Sequence, residues 1–238
     1  MRCLPVILAF LCAVSYASQQ PAAGEQSVET YGGIGVYGLS ACNTLHIYDY
    51  RVVTAQYKKR FNEHLQIGGA GAYVNRVERY RMNLETGSGE PIDQREVLNL
   101  GGGMFFTSLF FKYLELSFGL GALGGSDEDG GVIMPWPHGV LKIGPLDTAY
   151  VAAAAGDPRP PYHTVKCWFG AYPLPELHFH GGVGMFGPVF VSPFMGVDWR
   201  FHEDISLSAV FEYHVPNDYE PVDFDTSIAG AIGIAFYF

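Results

Sequence analysis

Ser227-Ile228-Ala229-Gly230-Ala231-Ile232-Gly233-Ile234-Ala235-Phe236-Tyr237-Phe238 ends the chain, and it separates into two faces when it is read at every second residue. One face is bulky and apolar and comprises Ile228, Ile232, Ile234, Phe236 and Phe238. The other face carries small side chains except at Tyr237. Strict alternation over this length predicts a β-strand with unlike surroundings on its two sides. Lipid on one side and a crowded barrel interior on the other would explain both faces, because a strand that crosses a membrane needs roughly 9–11 residues.

A C-terminal strand that alternates in this way and stops at an aromatic residue resembles the terminal strand of bacterial outer-membrane β-barrels. In that family the terminal strand is what the assembly machinery reads. The resemblance therefore implies an outer-membrane barrel with outer-membrane lipid and the barrel-assembly machinery as partners, and with Phe236 and Phe238 as its assembly signal. It covers the general pattern of the chain and no catalytic motif.

The first seventeen residues have the layout of a secretory signal peptide. Arg2 supplies the positive charge, residues 4–14 form an apolar core, and Ser15 and Ala17 are the small residues of a cleavage site. We expect cleavage after Ala17, a flexible leader over residues 18–29 and a single barrel domain over residues 30–238. A lipoprotein signal at Cys12 is the alternative, which the leucine before it disfavours.

The composition favours a membrane barrel over a soluble domain. Removal of Arg2 leaves 13 of the 14 basic residues against 24 acidic ones, a net charge of −11, which argues against nucleic acid or anionic lipid as a partner. Charged residues make up only 16% of the chain, whereas a soluble domain typically has about 25%. After the signal peptide no stretch approaches the roughly 18 consecutive apolar residues of a spanning helix. Only helices and closed barrels satisfy their backbone groups in lipid, so these features indicate a barrel.

Alternation recurs along the chain and predicts an all-β fold, an antiparallel closed transmembrane β-barrel of about twelve strands. The apolar side of each alternating segment, including Leu100, Met104 and Phe106, is expected to face lipid. The expected strands are 30–40, 48–60, 65–81, 95–108, 113–125, 138–144, 148–155, 164–172, 177–186, 189–201, 205–215 and 224–238. Ten strands are the alternative, if residues 141–155 form one strand or a partial loop.

Short links alternate with longer polar segments, as periplasmic turns alternate with extracellular loops in outer-membrane barrels. Two short links share an Arg-Phe pair, at Arg60 and at Arg200, and both suit tight hairpins. We expect both termini to be periplasmic. The longer segments are expected at 41–47, 82–94, 126–138, 156–163 and 216–222, with a tighter break at 187–188.

Aromatic residues near strand ends fit the girdles that such barrels place at the two membrane interfaces. These residues are Tyr31, Tyr48, Tyr50, Trp168, Trp199, Phe236 and Phe238.

The same alternation places a set of polar residues in the lumen. They are Glu115, Lys142, Lys166, His178, His180, Asp198, Arg200, Glu212 and His214. We interpret them as a structural lattice of ion pairs and hydrogen bonds, since the interior of such a barrel is polar and partly filled. An unpaired guanidinium is costly there, so Arg200 is expected to pair with Asp198 or Glu115. His214 is expected to find an acceptor, for example Glu212.

Two motifs raise the question of a ligand. His178 and His180 lie two residues apart, a spacing that can bind a metal ion, but no third ligand is evident, so we expect neither a metal nor a cofactor. Residues 182–187 spell GxGxxG, which binds nucleotides only at a strand-to-helix turn. Pro188 and another alternating segment follow, so the glycines are interpreted as room for bulky side chains opposite.

The function expected is that of a non-enzymatic barrel, either structural and surface-presenting or a narrow channel. The alternative is an outer-membrane enzyme acting on lipid or lipopolysaccharide, since barrel enzymes use Ser–His constellations at the lipid edge. Ser192, Ser206 and Ser208 are available, and Glu212 with His214 could form half of an acid–base pair. We find no motif around them. Export makes a disulfide between Cys42 and Cys167 possible, but their distance in sequence leaves it open.

Overall fold

The computed structural model describes residues 23–41, 44–83, 85–91, 97–127, 130–160, 162–186, 190–213, 215–216 and 228–238. The predicted signal peptide, residues 18–22 of the predicted leader, Cys42 and His214 lie outside these residues. Among the described residues, no helix has the length and apolar character needed to cross a membrane.

Twelve long strands form the described part of the chain. They are β1 Gln26–Ala41, β2 Thr44–Arg60, β3 Leu65–Asn83, β4 Val97–Phe111, β5 Leu114–Asp127, β6 Gly130–Ile143, β7 Ala149–Ala155, β8 Val165–Leu174, β9 Leu177–Phe186, β10 Phe190–His202, β11 Ile205–Tyr213 and β12 Ile228–Tyr237. Two short segments, Gly89–Pro91 and Val215–Pro216, pair with β3 and β10.

Each strand is antiparallel to its neighbours along the chain, and the first and last strands close the ring. Ser27 of β1 faces Tyr237 of β12, and the pairing runs to Ile34 and Gly230. Closure pairs the edges that an open sheet would leave exposed, which is what a spanning sheet requires in lipid. The predicted antiparallel closed barrel of about twelve strands is confirmed. The ten-strand alternative is wrong, because β6 and β7 are two separate strands. They pair with each other from Gly139 opposite Ala155 to Ile143 opposite Val151.

The outside of the barrel is apolar over most of its height. Exposed fractions reach 81% for Phe105 and Ile133 and 73% for Ile232. In the terminal strand, Phe236 is exposed whereas Ala229 and Ala235 are buried, as the alternation predicts. A soluble protein rarely exposes an apolar surface of this extent, so the strands are suited to lipid.

The orientation of β4 is the reverse of the prediction. Leu100, Met104 and Phe106 face the interior with at most 5% exposure, and Phe105 points outward. The reason is packing inside the barrel, where Met104 and Phe106 form an apolar cluster with Ala70, against which Trp136 packs. Both faces of this strand carry apolar residues, so alternation alone does not determine which one meets lipid.

The aromatic girdle is also differently composed. Tyr31, Tyr48, Tyr50 and Trp168 were expected at the membrane interfaces, and this is wrong, because all four face the interior with at most 9% exposure. The other three predicted residues, Trp199, Phe236 and Phe238, are exposed near strand ends, as expected. They belong to a set of exposed aromatics beside the short turns at the terminal end, which is the end that holds the start of β1 and the end of β12. The set comprises Phe61, Phe111, Tyr113, Trp199, Phe201, Phe236 and Phe238.

At the far end of the barrel, which lies opposite the terminal end, the strands extend further than the sequence predicts. Loops were expected over 41–47 and 126–138, but β1 and β2 pair up to Ala41 and Thr44, and β6 begins at Gly130. Pro135 and Pro137 are tolerated in β6 because β7 ends opposite Gly139, which leaves that part of β6 paired on one side only. At the terminal end, β1 begins at Gln26 inside the predicted leader, since its backbone bonds to Phe238.

Candidate functional site in the lumen

The described part of the link between β7 and β8, residues 156–160 and 162–164, folds into the barrel and is called the inserted loop below. It begins at Gly156, which has φ of 59°, and a Cβ there would lie 1.9 Å from the Pro137 carbonyl oxygen. The Gly156 carbonyl accepts a hydrogen bond from Trp136 Nε1 at 3.0 Å, and His138 Nδ1 lies 3.3 Å away. A left-handed glycine and two side chains of β6 therefore direct the loop inward.

An ion cluster holds the start of the inserted loop. Asp157 accepts hydrogen bonds from the Arg159 guanidinium at 3.1 and 3.2 Å, and Lys166 Nζ lies 3.2 Å from its second oxygen. Lys166 also donates to the Arg159 carbonyl at 2.8 Å. Burial alone would raise the pKa of Asp157, but the charges of Arg159 and Lys166 hold that pKa well below its usual value. The carboxylate is therefore charged and paired at neutral pH.

The end of the inserted loop reaches the opposite wall. Tyr162 OH lies 3.4 Å from Thr54 Oγ1 on β2, six strands away from β8 in a ring of twelve. His163 is buried, with Nε2 3.2 Å from Glu212 Oε2. Its ring packs against Gly184, where a Cβ would come within 1.9 Å of it. This close approach explains one glycine of the GxGxxG motif, and the described part of that motif, residues 182–186, lies within a strand and not at a strand-to-helix turn.

Toward the terminal end, further ion pairs join neighbouring strands on the inner wall. Lys142 Nζ lies 2.8 Å from Glu115, and Lys58 Nζ lies 2.5 Å from Glu29. Arg200 pairs with Glu25 at 3.0 Å, so the expectation of Asp198 or Glu115 as its partner is wrong. The chain just before β1 lies beside Arg200 at the mouth, which sequence spacing alone does not reveal.

Three polar residues gather on β9 and β10. His178 and His180 share the inner face of β9, and Asp198 of β10 lies directly opposite His178. His178 Nδ1 is 2.7 Å and His180 Nδ1 is 3.5 Å from Asp198 Oδ2. The Tyr150 hydroxyl is 3.0 Å from His178 Nε2, and the ring of Tyr172 stacks on His178 at 4.4 Å. Residues of this type and spacing can hold a metal ion.

The nine residues predicted for the lumen thus separate into several groups. Glu115 pairs with Lys142, Lys166 with the inserted loop, His178 and His180 with Asp198, Arg200 with Glu25, and Glu212 with His163. His214 lies outside the described residues. The luminal partners that the sequence did not single out are Glu25, Glu29, Lys58, Asp157, Arg159 and His163. Alternation in β1 and β2 could have identified Glu29 and Lys58, but no local signal shows that a polar loop turns inward.

The described side chains of the lumen surround a small cavity. A cavity of about 130 Å³ lies among these side chains and borders His178, His180 and Asp198. Pockets for drug-sized ligands usually measure about 300–1,000 Å³. This cavity therefore has room for an ion and a few water molecules and not for a large solute.

The described serines do not form a hydrolase site at the lipid edge. Ser206 lies 3.3 Å from the Tyr237 hydroxyl, and Ser192 is fully buried. Ser117 lies 3.0 Å from His138 Nε2, but the other nitrogen of that ring faces the Gly156 carbonyl and not an acid. Both residues of this Ser–His pair are buried in the lumen. Cys167 is free and exposed on the outer surface.

No protein-family model and no curated protein matches this chain. Among solved structures, outer membrane phospholipase A from Escherichia coli aligns with 91% of this chain and 93% of its own, at 7% identity and a TM-score of 0.41. The P. putida toluene transporter TodX aligns with 90% of this chain and 89% of its own, at 8% identity and 0.41. Ail, the attachment invasion locus protein of Yersinia pestis, aligns with 91% and 99%, at 10% identity and 0.31. The fold of this chain rests on its own strand pairing and its own apolar exterior.

Proposed function

We propose that this protein is a non-enzymatic β-barrel of the bacterial outer membrane whose lumen is closed at rest by the inserted loop. The observation that supports this most directly is the span of the loop, from the Gly156 contacts on β6 to the Tyr162–Thr54 contact on the opposite wall. A barrel of about eight strands is filled by its own side chains. A barrel of twelve is wider, so a loop of this kind is needed to close it.

The charges of the lumen agree with a closed state. The side chains of Asp157 and Lys166 are at most 4% exposed, and Lys166 Nζ lies 3.2 Å from Asp157 Oδ2. Buried charges are retained where they are paired, and an open aqueous pore would not need to pair them so closely. The barrel then serves to present its far end at the surface and not to pass solute steadily.

Planar-bilayer recordings of the refolded mature protein test this proposal. The wild type should show no steady conductance. Gly156→Ala should produce openings, because the new Cβ meets the Pro137 carbonyl and displaces the start of the loop. Replacement of residues 157–163 by a short Asn-Gly turn should produce a persistent conductance.

Gly131→Ala is the matched control, since a Cβ at that position has only an ordinary contact at 3.8 Å. It should remain silent like the wild type. Steady conductance of the wild type would contradict the proposal and show that the barrel is a narrow open channel. A silent loop replacement would show that the loop is not what closes the lumen.

The enzymatic alternative has one specific contact in its favour, the Ser117–His138 pair. The proposal predicts that the refolded wild type releases no fatty acid from phospholipid or lipopolysaccharide. If the wild type releases fatty acid and Ser117→Ala does not, the protein is a lipid hydrolase.

A further inference from the structure

We propose that His178, His180 and Asp198 bind one divalent transition-metal ion inside the barrel. This inference goes beyond the closed barrel and is independent of whether the lumen conducts. The three residues are called the luminal triad below.

The backbone of one hairpin places all three donors together. His178 and His180 are two residues apart on β9, so both side chains point to the same face, and Asp198 is the cross-strand partner of His178. One donor atom from each residue lies within 4.8 Å of the other two. The scaffold of this arrangement is two paired strands in a closed ring and not a mobile loop, which favours a preformed site.

The distances are close to those of a bound ion. Zinc ligands at 2.0–2.1 Å in a tetrahedron stand about 3.4 Å apart. In the luminal triad the two nitrogen–oxygen distances are 2.7 and 3.5 Å. An ion between the three donors therefore requires His178 and Asp198 to separate by about 0.7 Å. It also requires the two imidazole nitrogens, which lie within 4.8 Å of each other, to stand about 3.4 Å apart.

His180 provides an independent reason to expect a ligand. Its Nδ1 atom is buried, and its contact with Asp198 Oδ2, at 3.5 Å, is longer than a normal hydrogen bond. Buried polar atoms are almost always satisfied, and one that is not calls for an explanation such as an ion. The atom is directed toward Asp198, whose Oδ2 is 3.5 Å away. A metal ion between them would satisfy this nitrogen.

The surroundings of His178 resemble the outer sphere of a metal site. With Nδ1 bound to the ion, Nε2 carries the proton and can donate to the Tyr150 hydroxyl 3.0 Å away. Such a bond to the second ring nitrogen sets the tautomer and orients the ring of a metal-binding histidine. Tyr172, stacked 4.4 Å from the same ring, restricts its rotation further.

The donor set selects the class of ion. Two imidazoles and one carboxylate suit zinc, iron(II) or cobalt(II), whereas calcium takes six to eight oxygen ligands. The cavity of about 130 Å³ borders the luminal triad and leaves room for water at the remaining coordination positions. The ion would add positive charge beside Asp198, the single acid of the triad, and tie β9 to β10.

Cobalt(II) and zinc titrations test the inference. The refolded mature protein is stripped with a chelator and titrated with CoCl₂, and one equivalent should bind with visible d–d absorption. Excess ZnCl₂ should remove that absorption. His180→Gln should weaken cobalt binding by at least roughly tenfold, because it removes one ligand, and Tyr150→Phe should weaken it by about tenfold through the outer sphere.

His46→Gln is the matched control, since His46 also pairs with a carboxylate, Glu78 at 2.6 Å, but lies outside the triad. It should bind cobalt like the wild type. Strand content by circular dichroism confirms that each variant is folded, and His180→Gln leaves the 2.7 Å His178–Asp198 contact intact. Absence of saturable binding to the wild type at micromolar metal, or equal binding by His180→Gln, would overturn the inference. Neither result depends on the conductance experiments.

Discussion

Glu115 and Lys142 face each other across β5 and β6, and each side chain is exposed by only 7–8%. A charge that is removed from water at this depth is costly unless an opposite charge is close. The pair does not need to stabilise the barrel relative to two apolar residues. Loss of one partner, however, leaves the other charge buried and alone.

Glu115→Gln should therefore lower the free energy of unfolding by about 3–5 kcal/mol, the usual cost of breaking a buried ion pair. Urea unfolding of the refolded barrel in lipid vesicles measures this. The double variant Glu115→Gln/Lys142→Met should recover part of the loss. Glu63→Gln, in an exposed turn, should stay within about 0.5 kcal/mol of the wild type. Unfolding of Glu115→Gln at the wild-type urea concentration would contradict this account.

Alternation could predict which of these side chains point inward, but it could not predict their partners. Glu115 and Lys142 meet because their strands are adjacent and in register. Arg200 and Glu25 meet because the chain before β1 lies beside the turn after β10. That contact depends on closure of the whole ring, so neither segment encodes it locally. The same limit applies to the luminal triad, in which Asp198 becomes the third ligand only through the register of β9 and β10.

Among the strands, the terminal one was the most predictable, because its two faces differ clearly in size and each has a single role. The far ends were the least predictable. Pro135 and Pro137 resemble loop residues, and only the shortness of β7 explains why they are accepted in a strand. The two Arg-Phe turns behave alike, as their sequences suggested. Arg60 donates to the Glu63 carbonyl and Arg200 to the Glu203 carbonyl, each within its own turn.

Phe238 allows the assembly role of β12 to be separated from its stability. Its backbone exchanges two hydrogen bonds with Gln26, at 2.8 and 2.9 Å, whereas its side chain is 63% exposed. Phe238→Ala keeps both bonds and should change the stability of the refolded barrel little. If Phe238 belongs to the assembly signal, the same variant should lower the amount of protein in the outer membrane of cells. Immunoblots of membrane fractions measure this.

Phe105→Ala is the control for that experiment, since Phe105 is 81% exposed on the same apolar exterior but lies in β4. It should reach wild-type levels. Equal outer-membrane levels of Phe238→Ala and the control would show that Phe238 is not part of an assembly signal.

For the whole molecule, closure of the ring has a consequence that a denaturing gel can detect. Because β1 pairs with β12, the barrel can open only when many backbone hydrogen bonds break together. The luminal ion pairs add contacts between neighbouring strands, and the inserted loop adds a contact with the opposite wall through Tyr162 and Thr54, and these must break in the same step. Unboiled protein in detergent should therefore stay compact and migrate differently from boiled protein. The apolar exterior, with Ile232 exposed by 73%, should at the same time place it in the outer-membrane fraction of a Gram-negative cell. A protein that migrates identically before and after boiling, or is recovered in the soluble periplasm, would be incompatible with a lipid-embedded closed barrel.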